Sequence, residues 1–163
     1  MRLLLITFLF AFNLMCNAQS TVATVLKKYN TQSVPYITST QLKNNNYILF
    51  DSREFSEYKV SHIPNAIFVG FNHFKPETVT SAVKNRSTPI VVYCSIGVRS
   101  EQIGEKLQKL GYTNVHNLYG GIFEYKNNGG TVLNQANKKT DSIHTYNKQW
   151  SVYLKKGIKI YEN

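Results

Sequence analysis

The sequence predicts an α/β fold, a central parallel sheet flanked by helices, and three observations carry that reading. Short strand-like runs recur along the chain, at 47–51, 66–69, 90–93 and 115–118, each too short to be a helix. Segments of helical spacing lie between them, clearest where Ile103, Leu107 and Leu110 share a face and Gly111 ends the run. Ile90–Tyr93, preceded by Pro89, is apolar throughout, as a strand buried on both faces must be. Strands alternating with helices build a parallel sheet covered on both sides.

The elements are justified in order. Residues 21–29 form a short helix with Val22, Val25 and Leu26 inward. Val34-Pro35-Tyr36-Ile37 is an edge strand, because proline cannot donate to a central ladder. Ser39–Leu42 starts a brief helix and Asn44-Asn45-Asn46 turns the chain into the central strand 47–51. Residues 54–59 are helical, 66–69 return as a strand, and 75–84 are weakly helical. The strand 90–94, the helix to Leu110, the strand 115–118 and a helix over 122–127 complete the domain, read as residues 19–130. Residues 131–163 form a short C-terminal extension packed on that domain. Residues 137–141 are loop-like there, Tyr146, Trp150, Tyr153 and Leu154 recur at helical spacing, and 158–161 alternate like a strand. Trp150 reads as packing for the extension rather than as a ligand contact.

Met1-Arg2, the apolar run Leu3–Phe12 and the small Ala18 before Gln19 have the form of a secretory signal peptide over residues 1–18. The run is too short to span a bilayer, so no stable membrane insertion is expected. Export to the periplasm or the exterior follows; lipid attachment through Cys16 is the alternative, disfavoured by the bulky Met15. Cleavage would leave Cys94 as the one cysteine of the mature chain, unable to form an internal disulfide. The full chain carries a formal net charge of +10, and loss of Arg2 lowers it by one. Its lysines are dispersed and no basic-aromatic motif appears, so a solvated basic surface is expected and nucleic acid is not a partner.

Cys94 carries the functional information. It stands between a buried strand and a helix start, where unpaired N–H groups and the positive end of the helix dipole favour thiolate over thiol. An inert core cysteine is the alternative that this position disfavours. Gly97 frees the loop backbone, and Arg99 adds a permanent charge and a planar fork for an anionic donor. Successive loop N–H groups from Ser95 through Ile96, Gly97 and Val98 to Ser100 can curl around the sulfur. The Ser95 and Ser100 hydroxyls can donate too, and Ser100 can equally serve as a helix cap. His73, His116 and His144 show no metal-ligand spacing with Cys94, so no metal is expected.

Cys94-Ser95-Ile96-Gly97-Val98-Arg99-Ser100 resembles the active-site loop of the rhodanese-like sulfurtransferase family, Cys-x-x-Gly-x-Arg. Asp51-Ser52-Arg53 is similar to that family's Asp-x-Arg segment. His62-Ile63-Pro64-Asn65-Ala66 resembles its His-Ile-Pro-Gly-Ala turn, with Asn65 replacing a glycine where Asn tolerates a left-handed backbone. Leu118-Tyr119-Gly120-Gly121 resembles its Leu-x-Gly-Gly ending. Four ordered motifs over roughly 35–130 are more specific than any one alone.

The resemblance implies transfer of sulfane sulfur through a Cys94 persulfide, from a small sulfur donor to a thiol or cyanide-like acceptor, with a protein thiol as one candidate. No cofactor is expected. Asp51 and Arg53 are then expected to brace the loop or an adjacent turn through charge-assisted hydrogen bonds, with direct substrate contact as the alternative. His62 is expected as a hydrogen-bonding corner, and Tyr125 as a packed aromatic. Two other classes stand beside this one. A thiol-binding or redox-sensing module would keep the fold without turnover. Cysteine phosphatases and arsenate reductases have a similar layout, but one more residue between cysteine and arginine makes their cradle wider.

Overall fold

A computed structural model of the chain describes residues 21–161. The expected signal peptide and Cys16 lie outside the described residues. Helix α1 (Val22–Tyr29) opens on a reciprocal cap between Thr21 and Thr24, with Val25 and Leu26 buried and Val22 half-buried. The chain continues through β1 (Tyr36–Ile37), α2 (Ser39–Lys43), β2 (Ile48–Asp51), α3 (Phe55–Val60), β3 (Ile67–Phe68) and α4 (Pro76–Ala82). It then runs through β4 (Ile90–Tyr93), α5 (Val98–Lys109), β5 (Val115–Leu118) and α6 (Gly121–Asn127). The five strands form one parallel sheet in the order β1-β5-β4-β2-β3, so β1 lies at an edge and β4 at the centre.

Alternation along β4 explains how the two covering layers are assigned. Ile90 and Val92 join a cluster with Phe50, Val79, Ile103, Leu107 and Tyr112, beneath α4 and α5. Val91 and Tyr93 join another with Leu42, Ile122, Phe123, Ile143 and Leu154, which includes α2, α6 and the extension. Helix α5 stops where Gly111 takes φ +88° and its N–H donates to the Gln108 carbonyl at 2.9 Å.

The extension packs on the domain, because Val132, Ile143 and Leu154 are buried in the second cluster. Its local structure differs from the sequence expectation. Thr140 and Lys139, read as loop, form β7 (Lys139–Thr140), antiparallel to β6 (Val132–Leu133). The aromatic run is a four-residue 3-10 helix, Trp150–Tyr153, and not an α-helix. Tyr146 stands outside it at φ +65° with its ring exposed. The expected terminal strand exists as β9 (Ile158–Ile160), parallel to β8 (Ser142–His144). No helix among the described residues is long and apolar enough to cross a membrane.

Candidate active site

Cys94 follows β4 directly, at the carboxyl end of the central strand, where open parallel sheets place their ligand crevices. The loop then turns at Gly97, whose φ of +113° serves as the left-handed entry to α5. A side chain there would be strained by that φ and would press on Leu26 Cδ2 at 3.2 Å. This turn aims the Gly97 N–H at Cys94 Sγ, 3.1 Å away, and Ser100 Oγ lies 3.5 Å from the same sulfur.

Burial alone would raise the Cys94 thiol, which is 1 % exposed. The Arg99 charge, the Ser100 hydroxyl and the Ser100 and Gly97 N–H groups outweigh it, so the thiol titrates below its ordinary value. Ser100 lies inside α5, so it is not the helix cap. Its Oγ also lies 2.7 Å from Asn117 Oδ1, so that oxygen and the Cys94 sulfur are the two acceptors open to its one proton, while Asn117 Nδ2 donates to the Gly97 carbonyl at 2.8 Å. Asn30 Nδ2 donates to the same carbonyl at 2.8 Å, so two amides fix the turned peptide.

Arg99 is placed differently from the sequence expectation of an open fork. Its two terminal nitrogens donate to the Glu57 carboxylate at 2.6 and 2.9 Å, and Nη2 also reaches Ser95 Oγ at 3.0 Å. Ser95 Oγ donates to Glu57 Oε1 at 3.0 Å rather than to the sulfur. Desolvation pushes the Glu57 carboxyl up, but the Arg99 bonds and charge pull it down to about 2, so it is ionised throughout the neutral range. The guanidinium therefore acts on the thiol as one half of an ion pair.

The loop is fastened from below by α6. Ile122 N–H donates to the Cys94 carbonyl at 2.9 Å and Phe123 N–H to the Ser95 carbonyl at 3.2 Å. A Cβ on Gly121 would lie 2.3 Å from the Cys94 carbonyl oxygen, so glycine is the residue that permits the approach. Asp51 and Arg53 are fully buried and pair with each other at 2.6 Å. Arg53 Nη2 also donates to the Ser61 carbonyl at 2.6 Å, so the pair braces the turn before His62. His62 Nδ1 contacts the Tyr58 carbonyl at 3.2 Å while its backbone bridges Leu133, and Asn65 adopts φ +63°. Tyr125 is buried in α6.

A cavity of about 350 Å³ opens over Cys94. Ser95, Ile96, Val98 and Arg99 form its floor, and Tyr29, Phe71, Tyr146 and Trp150 contribute rings to its walls. Trp150, assigned to packing from the sequence, thus also faces the site. Glu57, Asn117, Asn30 and Tyr146 were not singled out as site residues from the sequence. Of these, Asn117 left a signal as a polar amide within the strand Val115–Leu118, and Tyr146 as a member of the aromatic run of the extension. No group of acidic, His and Cys residues among the described residues could hold a metal ion.

The profile of the rhodanese-like domain family matches residues 35–128, and the chain belongs to that family. The chain is similar to a tRNA uridine(34) hydroxylase of Hamiltonella defensa, 29% identical over 124 residues, covering 74% of this chain and 33% of that protein. It is also similar to a protein of the same name from Buchnera aphidicola, 33% identical over 87 residues, covering 52% of this chain and 28% of the relative. The chain thus spans about a third of the length of these curated relatives. Among solved structures, a rhodanese-related protein of Thermoplasma volcanium aligns with TM-score 0.54 and 27% identity, covering 61% of this chain and 97% of that one. A thiosulfate sulfurtransferase of Pseudomonas aeruginosa shares the fold at TM-score 0.56 and 19% identity, covering 69% of this chain and 22% of its own.

Proposed function

We propose that the protein is a sulfurtransferase in which Cys94 carries sulfur as a persulfide between a sulfane-sulfur donor and a thiol or cyanide-like acceptor. The observation that carries this reading is a buried thiol shifted toward thiolate by Arg99, Ser100 and the Gly97 N–H, at the floor of an open cavity. The thiolate attacks the outer sulfur of the donor, the donor's S–S bond breaks, and its electron pair leaves with the donor remnant. An acceptor thiolate then attacks the outer persulfide sulfur and returns the Cys94 thiolate.

The same donors that stabilise one sulfur anion can stabilise the outer one, which needs no wide cradle. The four residues between Cys94 and Arg99 support this over phosphoryl transfer. Ser95, Ile96, Gly97, Val98, Arg99 and Ser100 form the loop around the sulfur and border the donor, Arg99 acting through its charge, while Asp51 and Arg53 support the neighbouring turn. The curated relatives' hydroxylase name belongs to proteins of which this chain matches about a third, so sulfur transfer, the chemistry the site's own residues support, is preferred. Thiocyanate formation from cyanide and a sulfane donor by wild-type protein, lost in Cys94→Ser, is the expected result; wild-type turnover unchanged by that substitution would refute the role of Cys94.

Export belongs to the same proposal, resting on Met1-Arg2, Leu3–Phe12 and the Ala18-Gln19 junction. Intact mass of protein from the envelope should begin at Gln19, a lipid-modified Cys16 would favour anchoring, and an unprocessed cytoplasmic chain would end the export reading.

A further inference from the structure

We propose that the cavity over Cys94 selects an organic sulfane-sulfur donor bearing an apolar, ring-sized group and at most one negative charge, gripped between Tyr29, Phe71, Tyr146 and Trp150. This deepens the sulfur-transfer reading and rests on it. Its first support is where the walls come from. Tyr29 ends α1, Phe71 follows β3, and Tyr146 and Trp150 belong to the extension, so four rings converge from separate parts of the chain on one nucleophile. Tyr29 and Trp150 lie 6.3 Å apart between ring centroids, and the Tyr146 ring lies 5.8 Å from the Arg99 guanidinium carbon. Tyr29 and Tyr146 are 53% and 54% exposed, so these rings line the mouth without being buried in the core. Tyr146 also holds φ +65°, a backbone state costly for a bulky residue, of the kind that collects at ligand clamps.

The second support is charge. Arg99 is the only cation among the described lining residues, and Glu57 already accepts from both ends of its fork. Glu54 adds an acidic side chain to the wall. A dianion such as thiosulfate would bring two charges to a site whose cation is already matched, and would leave the rings unused. The third support is size. A volume of about 350 Å³ lies at the small end of the roughly 300–1,000 Å³ range of small-molecule sites. It suits one ring and its sulfur-bearing group, with room for the ring to face aromatic side chains.

The chemistry is balanced for an organic thiosulfonate. The Cys94 thiolate forms a bond to the outer sulfur, the bond between that sulfur and the sulfonyl sulfur breaks, and its electron pair leaves with the sulfinate. The persulfide anion remains on Cys94, so total charge is conserved and no oxidant or reductant is needed.

The test compares kcat/KM of the full-length protein for benzenethiosulfonate, methanethiosulfonate and thiosulfate, with cyanide as acceptor. The three differ in the group beside the reacting sulfur. Benzenethiosulfonate should exceed methanethiosulfonate by at least about tenfold, mostly through KM, since even one methylene in an apolar pocket is worth about that. Thiosulfate should be the poorest. Trp150→Ala and Tyr146→Ala should each bring the phenyl-to-methyl ratio toward one; exposed Tyr146 keeps the test open should the Trp150 variant unfold. Equal use of all three donors, a preference for thiosulfate, or a ratio untouched in Tyr146→Ala would overturn the inference while leaving Cys94 sulfur transfer standing. Failure of wild-type protein to take sulfur from any of the three would remove both.

Discussion

At the scale of single residues, Glu57 decides how Arg99 acts. Its carboxylate occupies the guanidinium fork, so Arg99 lowers the thiol by its remaining field and cannot clamp a donor bidentately. Arg99→Ala should therefore raise the pH midpoint of Cys94 alkylation and slow every donor, neutral or charged, in proportion to lost thiolate. A loss confined to anionic donors would contradict this. Glu57 ties the same pair to stability. Its folded value of about 2 lies below its ordinary 4.5, so its contribution is complete above pH 4.5 and is lost as pH falls toward 2. Removing one partner of a buried pair costs about 3–5 kcal/mol, and the low end applies because the Arg99 side chain keeps 19% exposure. Glu57→Gln should thus lose about 3 kcal/mol at pH 7 and show a shallower decline between pH 4.5 and 2 in urea unfolding. A variant with wild-type midpoints and acid slope would remove Glu57 from this role.

At the scale of elements, the junction of β4, the loop and α6 shows what was legible. The strand 90–93 and the helix after Gly97 could be read from apolar runs and spacing, because burial on both faces and a helical stripe leave direct marks. The Gly120-Gly121 pair could be recognised as a motif, but its physical reason, contact with the Cys94 carbonyl from a segment far along the chain, could not. The same holds for the Glu57–Arg99 pair, since nothing local marks which acid meets which base. Gly121→Ala tests the contact. It combines φ +55° with a Cβ 2.3 Å from backbone oxygen, so it should cost at least about 2 kcal/mol and depress turnover. Gly129→Ala, also at positive φ but with nothing within 4 Å, should cost about 1 kcal/mol and leave turnover near wild type. Equal penalties in thermal unfolding would mean that α6 does not hold the loop.

At the scale of the whole molecule, the extension both completes a core layer and walls the cavity. Its attachment was legible as an apolar pattern, yet its form was not, because a 3-10 helix and two-residue strands are too short for periodicity to resolve. The core contact falls on Leu154, 1% exposed, while Trp150 is half-buried between core and cavity. Leu154→Ala should therefore cost about 2–5 kcal/mol in urea unfolding, and an unchanged midpoint would make the extension a loose appendage. The central claim, that Cys94 accepts a sulfur, is met most directly by intact-mass and peptide mass spectrometry. After brief incubation with a sulfane-sulfur donor and removal of excess, wild-type protein should gain one sulfur atom on the peptide carrying Cys94. Cyanide should remove it, and Cys94→Ser should never acquire it. Wild-type protein that stays at its unmodified mass with thiosulfate, organic thiosulfonates and persulfides alike, while folded and alkylatable at Cys94, would contradict the account.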